Sequence, residues 1–193
     1  MTKKIILASG SPRRKELLEK AGIVFEVMKS EYEEDMTLSL EPKKLAEHLS
    51  LGKAEDVAKK ITEGIIISAD TFISYEGKIM GKPHTPERAK EMLLSLSGRS
   101  HSVITGFTII DVESGKNISR AVETLIFFKE LTEKEIDVYV ATGNPLDKAG
   151  AYAIQVIGEK WVEKIEGDFN NVVGLPLNDV LETLKDFGIN TEQ

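Results

Sequence analysis

The sequence predicts an α/β fold built on a mixed sheet. Short apolar stretches of strand character alternate with helical patterns from the amino terminus onward. Two long strand-like stretches, His101 to Val112 and Ile118 to Lys129, follow each other across the turn Glu113-Ser-Gly-Lys116, which makes an antiparallel hairpin. No linker, repeat or low-complexity tract interrupts the 193 residues. That length suits one domain with a real core, or two small lobes sharing a groove.

In chain order, Lys4 to Ala8 reads as a short buried strand. A helix follows, with Ser11 as N-cap, Pro12 at the first helical position and Gly22 past its end. Val24 to Met28 is a second strand, and Glu31 to Asp35, "EYEED", is a loop dense in carboxylates. Pro42 to Lys60 carries a helical stripe through Leu45, Leu49 and Val57. Ile65 to Ser68 is a buried strand ending at Ala69-Asp70-Thr71, and Thr71 to Met80 reads as a hairpin turning at Glu76-Gly77. Gly81-Lys82-Pro83 is a loop, and Pro86 to Leu96 is helical. After the long hairpin, Thr132 to Glu135 is a capping box that opens another helix. Gly143 to Gly158 reads as loop, and Pro176 to Phe187 as the last helix.

Composition limits what the chain does. It is 41% hydrophobic and 30% charged, as soluble globular proteins are. No apolar stretch reaches membrane-spanning length, and the first residues lack the apolar core of a signal peptide. With no cysteine, disulfides and thiolate metal sites are excluded, and the cytoplasm is the expected location. The net charge of -7 disfavours nucleic acid as a partner, which calls for a basic face.

Against that acidic background, "LASGSPRRKELL" stands out. Arg13, Arg14 and Lys15 occupy the first turn of a helix, where each cation opposes the helix dipole at a cost of roughly 0.3–1 kcal/mol. A bound anion would reverse that cost, because a helix start offers amides and arginine offers forked donors. Ser9, Gly10 and Ser11 are small enough for close backbone approach. A plain solvated basic face is the competing reading. Asp70 ends a strongly apolar strand, where open α/β sheets place ligands; it either caps a turn, holds a divalent cation or serves as a general base. "EYEED" is either solvated surface or an oxygen-rich site for Mg²⁺ or Mn²⁺. Lys53 and Lys82 are surface lysines or anion ligands. Asn144 to Gln155, "NPLDKAGAYAIQ", is a structural or a recognition loop.

Other motifs fail. Gly77 to Pro83 is one residue short of a phosphate loop and has Pro83 in place of Ser or Thr. Ser50-Leu-Gly-Lys53 has no K-T-G after it, and His48, His84 and His101 lack metal-ligand spacing.

The ordered set of motifs resembles the Maf family of nucleoside triphosphate pyrophosphatases. The resemblance covers nearly the whole chain. It rests on "LASGSPRRKELL", Glu33-Glu34, Lys53, "SADT" at 68–71, "GKP" at 81–83, "LSGRSHSVITG" at 96–106, "LDKAGAYAIQ" at 146–155 and "GLPL" at 174–177. It implies a hydrolase that cleaves between the α and β phosphates with a divalent metal, Mg²⁺ or Mn²⁺. It also implies an elongated mixed sheet flanked by helices, similar to inosine triphosphatase, with two lobes around a substrate groove and often a homodimer.

Residue roles carried by the resemblance are these. Asp70 matches the catalytic proton acceptor, and Glu34 a carboxylate acting with it at the metal or water. Ser9, Arg14, Lys53 and Lys82 match groups around the triphosphate. Arg13, Thr71 and Gln155 match the specificity positions of the branch acting on dTTP and UTP; the branch acting on 7-methyl-GTP has Trp in place of that arginine. Ala153 departs from the pattern, since close relatives often have Gly there. A nucleotide-binding regulator of cell division with little turnover is the alternative.

Overall fold

The computed structural model describes residues 3–190. β1 (Ile5–Leu7) is followed by α1 (Pro12–Lys20), β2 (Glu26–Val27) and α2 (Pro42–Ala58). β3 (Ile65–Tyr75) turns at Glu76 and Gly77 into β4 (Lys78–Met80), and α3 (Pro86–Leu96) follows. β5 (Ser100–Asp111) and β6 (Asn117–Phe128) form the expected long hairpin. α4 (Glu133–Ala141) comes next, then two 3₁₀ turns at Asn144–Asp147 and Ala149–Ala151. α5 (Ile154–Trp161), β7 (Val162–Glu166), α6 (Phe169–Val173) and α7 (Leu177–Lys185) complete the order.

The sheet is mixed, as expected, with strand order β2-β1-β3-β5-β6-β7 and β4 paired to β3. β1 runs parallel to β2 and β3, with Ile6 opposite Ile66, while β3/β4 and β6/β7 are antiparallel. Parallel strands covered on both faces are apolar throughout, and Ile65, Ile66 and Ile67 are fully buried. Ile6, Ala8, Ile66 and Ile110 pack with Ala54 and Val57 of α2.

Two compact units divide the chain. The first holds the chain through Asp70, Thr105–Val122 and the chain from Gly174; the second holds Thr71–Ile104 and Glu123–Val173. In the first, α2 lies close on β5: a Cβ at Gly106 would come within 2.0 Å of the Ala46 carbonyl oxygen. In the second, α3 packs on α4 and the 3₁₀ turns.

Two expectations are corrected. Asp70 does not end a strand; β3 runs on to Tyr75, because Phe72 and Ile73 are also buried. The stretch 143–158 is not all loop, since α5 begins at Ile154. β7 and α6 are each five residues, too short for a sequence period to show.

Candidate active site

The chemistry starts where α2 meets β3. Ser68 Oγ donates to the Ser50 carbonyl at 2.6 Å, and the Ser50 and Thr108 hydroxyls lie 2.8 Å apart. This buried polar chain fixes α2 against the sheet. One helical turn beyond Ser50 comes Lys53; two residues beyond Ser68, on the same strand face, comes Asp70. Lys53 therefore meets Asp70, and its ammonium forms an ion pair with the Asp70 carboxylate. The Asp70 side chain is 7% exposed and that of Lys53 13%.

The same ammonium binds Glu34 at 2.7 Å. Glu34 arrives on the carboxylate-rich loop, which α2 holds at its base. Asp56 accepts from the Glu31 amide at 2.8 Å and the Ser30 hydroxyl at 3.1 Å, and Lys60 binds both Glu31 and Asp56. The Tyr32 ring lies over Gly52, where a Cβ would come within 2.4 Å of it. Only glycine beside Lys53 leaves room for that ring. "EYEED" is therefore partly a positioned element and not wholly solvated surface.

α1 begins at Pro12 after Ser11, whose side chain makes no capping bond. Arg14 is 9% exposed. Its Nε donates to the Gly174 carbonyl at 2.7 Å and its Nη1 to Ser9 Oγ at 3.0 Å. Ser9 Oγ also accepts from the Ser11 amide at 3.3 Å. Burial pulls the Arg14 guanidinium below its ordinary pKa, the Asp70 carboxylate opposes that, Arg13 adds to it and Glu34 opposes it again. The field of both carboxylates thus reaches the start of α1. The dipole cost of a cation there is offset in part within the protein, by the Gly174 carbonyl and these two acids.

Ser9, Arg13, Arg14, Glu34, Lys53 and Asp70 all belong to the first unit. Arg13 is half-buried on α1. The other three sequence candidates belong to the second unit. Thr71 follows Asp70 along β3 and is half-buried, Lys82 is exposed in its loop, and Gln155 is exposed in the first turn of α5. Ala153 has φ -120 and ψ 118, which any residue adopts, so alanine costs nothing there. No local sequence signal marks the Gly174 carbonyl, Asp56 or Tyr32 as part of this arrangement; "GLPL" carries Gly174 only as one motif of the set.

Two carboxylates converging on one cationic centre suit a hard divalent cation as well as an ammonium. Among the described residues, no three or more His, Cys, Asp or Glu are grouped to hold a metal ion. A cation at Glu34 and Asp70 would complete its shell with substrate oxygens and water, which is the usual habit of Mg²⁺.

A sequence model of the Maf-like protein family matches residues 4–187. A dTTP/UTP pyrophosphatase of Methanosarcina mazei is 49% identical over 188 residues, covering 97% of this chain and 95% of that protein. One of Methanococcoides burtonii is 52% identical over 188 residues, covering 97% and 96%. One of Bacillus cereus is 49% identical over 187 residues, covering 97% and 91%. Among solved structures, the Staphylococcus aureus Ham1 protein aligns with 97% of this chain and all of its own at a TM-score of 0.53 and 14% identity, a likeness of fold alone.

Proposed function

The chain belongs to the Maf family, and from that premise we propose that it hydrolyses nucleoside triphosphates, dTTP and UTP before others, to the monophosphate and pyrophosphate. The observation that carries this reading is the convergence of Asp70 and Glu34 on one cationic centre, in a field shared with the buried Arg14. Water attacks the α phosphorus, the bond to the bridging oxygen breaks, and pyrophosphate leaves. Asp70 orients the water and takes its proton.

Mg²⁺ or Mn²⁺ held by Asp70 and Glu34 would supply charge neutralisation at the phosphate oxygens. With such a cation in place, the Lys53 ammonium would be available to the phosphate oxygens beside its two carboxylates. Arg14, Lys82, Ser9 and the start of α1 hold the negative charge of the triphosphate. Arg13, Thr71 and Gln155 select the base; the Gln155 amide offers both a donor and an acceptor, matching the imide edge of uracil or thymine. One catalytic domain over residues 1–193, a cytoplasmic location and a homodimer belong to the same reading. A regulator with little turnover is not favoured, since the curated relatives are named as pyrophosphatases.

The test is pyrophosphate release from a panel of nucleotides with Mg²⁺ or Mn²⁺. UTP and dTTP are expected to lead, and preference for a purine triphosphate rejects the substrate assignment. Asp70→Asn is expected to lower kcat about 10²- to 10⁴-fold. Full activity in that variant rejects the role of Asp70.

A further inference from the structure

His101 is 3% exposed, and the mechanism above makes no use of it. It lies on β5 with its ring edge-on to Phe128 at 4.9 Å and to Tyr152 at 5.5 Å. Phe128 packs on Tyr152 at 5.0 Å and on Trp161 at 6.4 Å, and Trp161 on Tyr139 at 5.0 Å. Inside this aromatic cluster, His101 Nε2 and the Tyr152 hydroxyl are 2.7 Å apart. The other ring nitrogen, Nδ1, is buried without a hydrogen-bond partner. Burial holds the imidazole neutral, with its pKa down to about 4, and pushes the Tyr152 phenol up.

Two phenylalanines would fill this space with no polar group to bury. A hydrogen bond kept at the expense of an orphaned nitrogen has to supply geometry that packing does not. What it fixes follows in the chain. Tyr152 and Ala153 lead directly into α5, whose helical backbone runs only from Ile154 to Ile157 before Gly158 breaks it at φ 37 and ψ -140. One turn of helix does not hold itself in water. Here it is held from outside. Tyr152 anchors the entry and Trp161 the exit, Ile154 and Ile157 are buried at 5% and 4%, and the Ala153 amide donates to the Tyr139 hydroxyl at 3.2 Å. Gln155 is exposed in the middle of that turn, beside the exposed Val156.

We propose that the buried His101–Tyr152 hydrogen bond, with the Tyr139 hydroxyl on Ala153, positions the single helical turn that presents Gln155, and so sets discrimination among pyrimidine bases without touching substrate. This rests on the reading of Gln155 as a specificity residue. His101, Tyr152 and Tyr139 are positioning residues.

The experiment measures kcat and KM for UTP and CTP with Mg²⁺ in the full chain, for Tyr152→Phe, Gln155→Ala and the double variant. Tyr152→Phe is expected to raise KM for UTP about 3- to 10-fold with kcat nearly unchanged, and to narrow the preference for UTP over CTP. In the Gln155→Ala background the same change is expected to have almost no effect. Equal effects in both backgrounds mean a general structural loss and overturn the proposal. So does a wild-type KM in Tyr152→Phe when Gln155→Ala has lost discrimination. Unchanged discrimination in Gln155→Ala overturns the specificity reading itself, and the proposal with it. A second pair reads the bond from its other side. His101→Gln, which keeps a polar group toward Tyr152, is expected to stay closer to wild type in KM than His101→Phe. The reverse order is what packing alone would give, and it rejects the proposal.

Discussion

Lys53 is where the site is decided at the scale of single residues. It ties Asp70 to Glu34 and keeps two acids from facing each other uncompensated. Residue type and motif pointed to all three; their meeting was not legible, because Lys53 and Asp70 are 17 positions apart and no local period relates them. Arg14 was legible as an anion ligand by its misplaced charge, but its bonds to Gly174 and Ser9 were not. His101 carries a prediction of its own. Its ordinary pKa is 6.5 and the fold holds it near 4. Between those values the unfolded chain takes up a proton that the folded chain refuses, so this group's contribution is present above pH 6.5 and is lost as pH falls toward 4. The loss amounts to about 3 kcal/mol. Urea unfolding at pH 7 and pH 4.5 measures it. The midpoint of the His101→Gln variant is expected to fall less over that interval than the wild type's.

Among elements, those that repeat their own period were legible. α3 runs from Pro86 to Leu96, with Thr85 accepting from the Arg88 amide as N-cap. The Thr132 and Glu135 capping box at α4 is present with both bonds. Elements held from outside were not. α5 is broken at Gly158, and β7 has no alternation of burial, with Glu163 and Lys164 both exposed. β3 misled because Ser68, Asp70 and Thr71 look like a strand end, yet they are polar residues placed inside a strand that α2 covers. How closely α2 sits on the sheet gives a second prediction. A Cβ on Gly106 meets the backbone of Ala46 and Glu47, which no side-chain rotation relieves. Gly106→Ala is therefore expected to destabilise by about 2 kcal/mol or more, read from the urea midpoint. It is also expected to lower kcat, because α2 carries Lys53.

At the scale of the whole molecule, net charge sets the terms. A chain whose 25 Lys and Arg are outnumbered by 32 Asp and Glu, with net charge -7, binds a polyanion best where cations gather locally. Under the proposed reading, the two carboxylates that meet at Lys53 would hold one. Activity is expected to vanish with excess chelator and to return on adding Mg²⁺ or Mn²⁺; unchanged turnover in chelator rejects the metal at Glu34 and Asp70. No described helix is long and apolar enough to cross a membrane. By itself the sequence determined the α/β class, the mixed sheet with its long hairpin, and the basic start of α1, because period, turn residues and capping act over a few neighbouring positions. Only the tertiary structure decided that Lys53 joins Asp70 to Glu34, that Asp70 lies within a strand, and that an aromatic cluster around His101 carries the turn bearing Gln155. Those are contacts between distant segments, and they form only when burial brings the segments together.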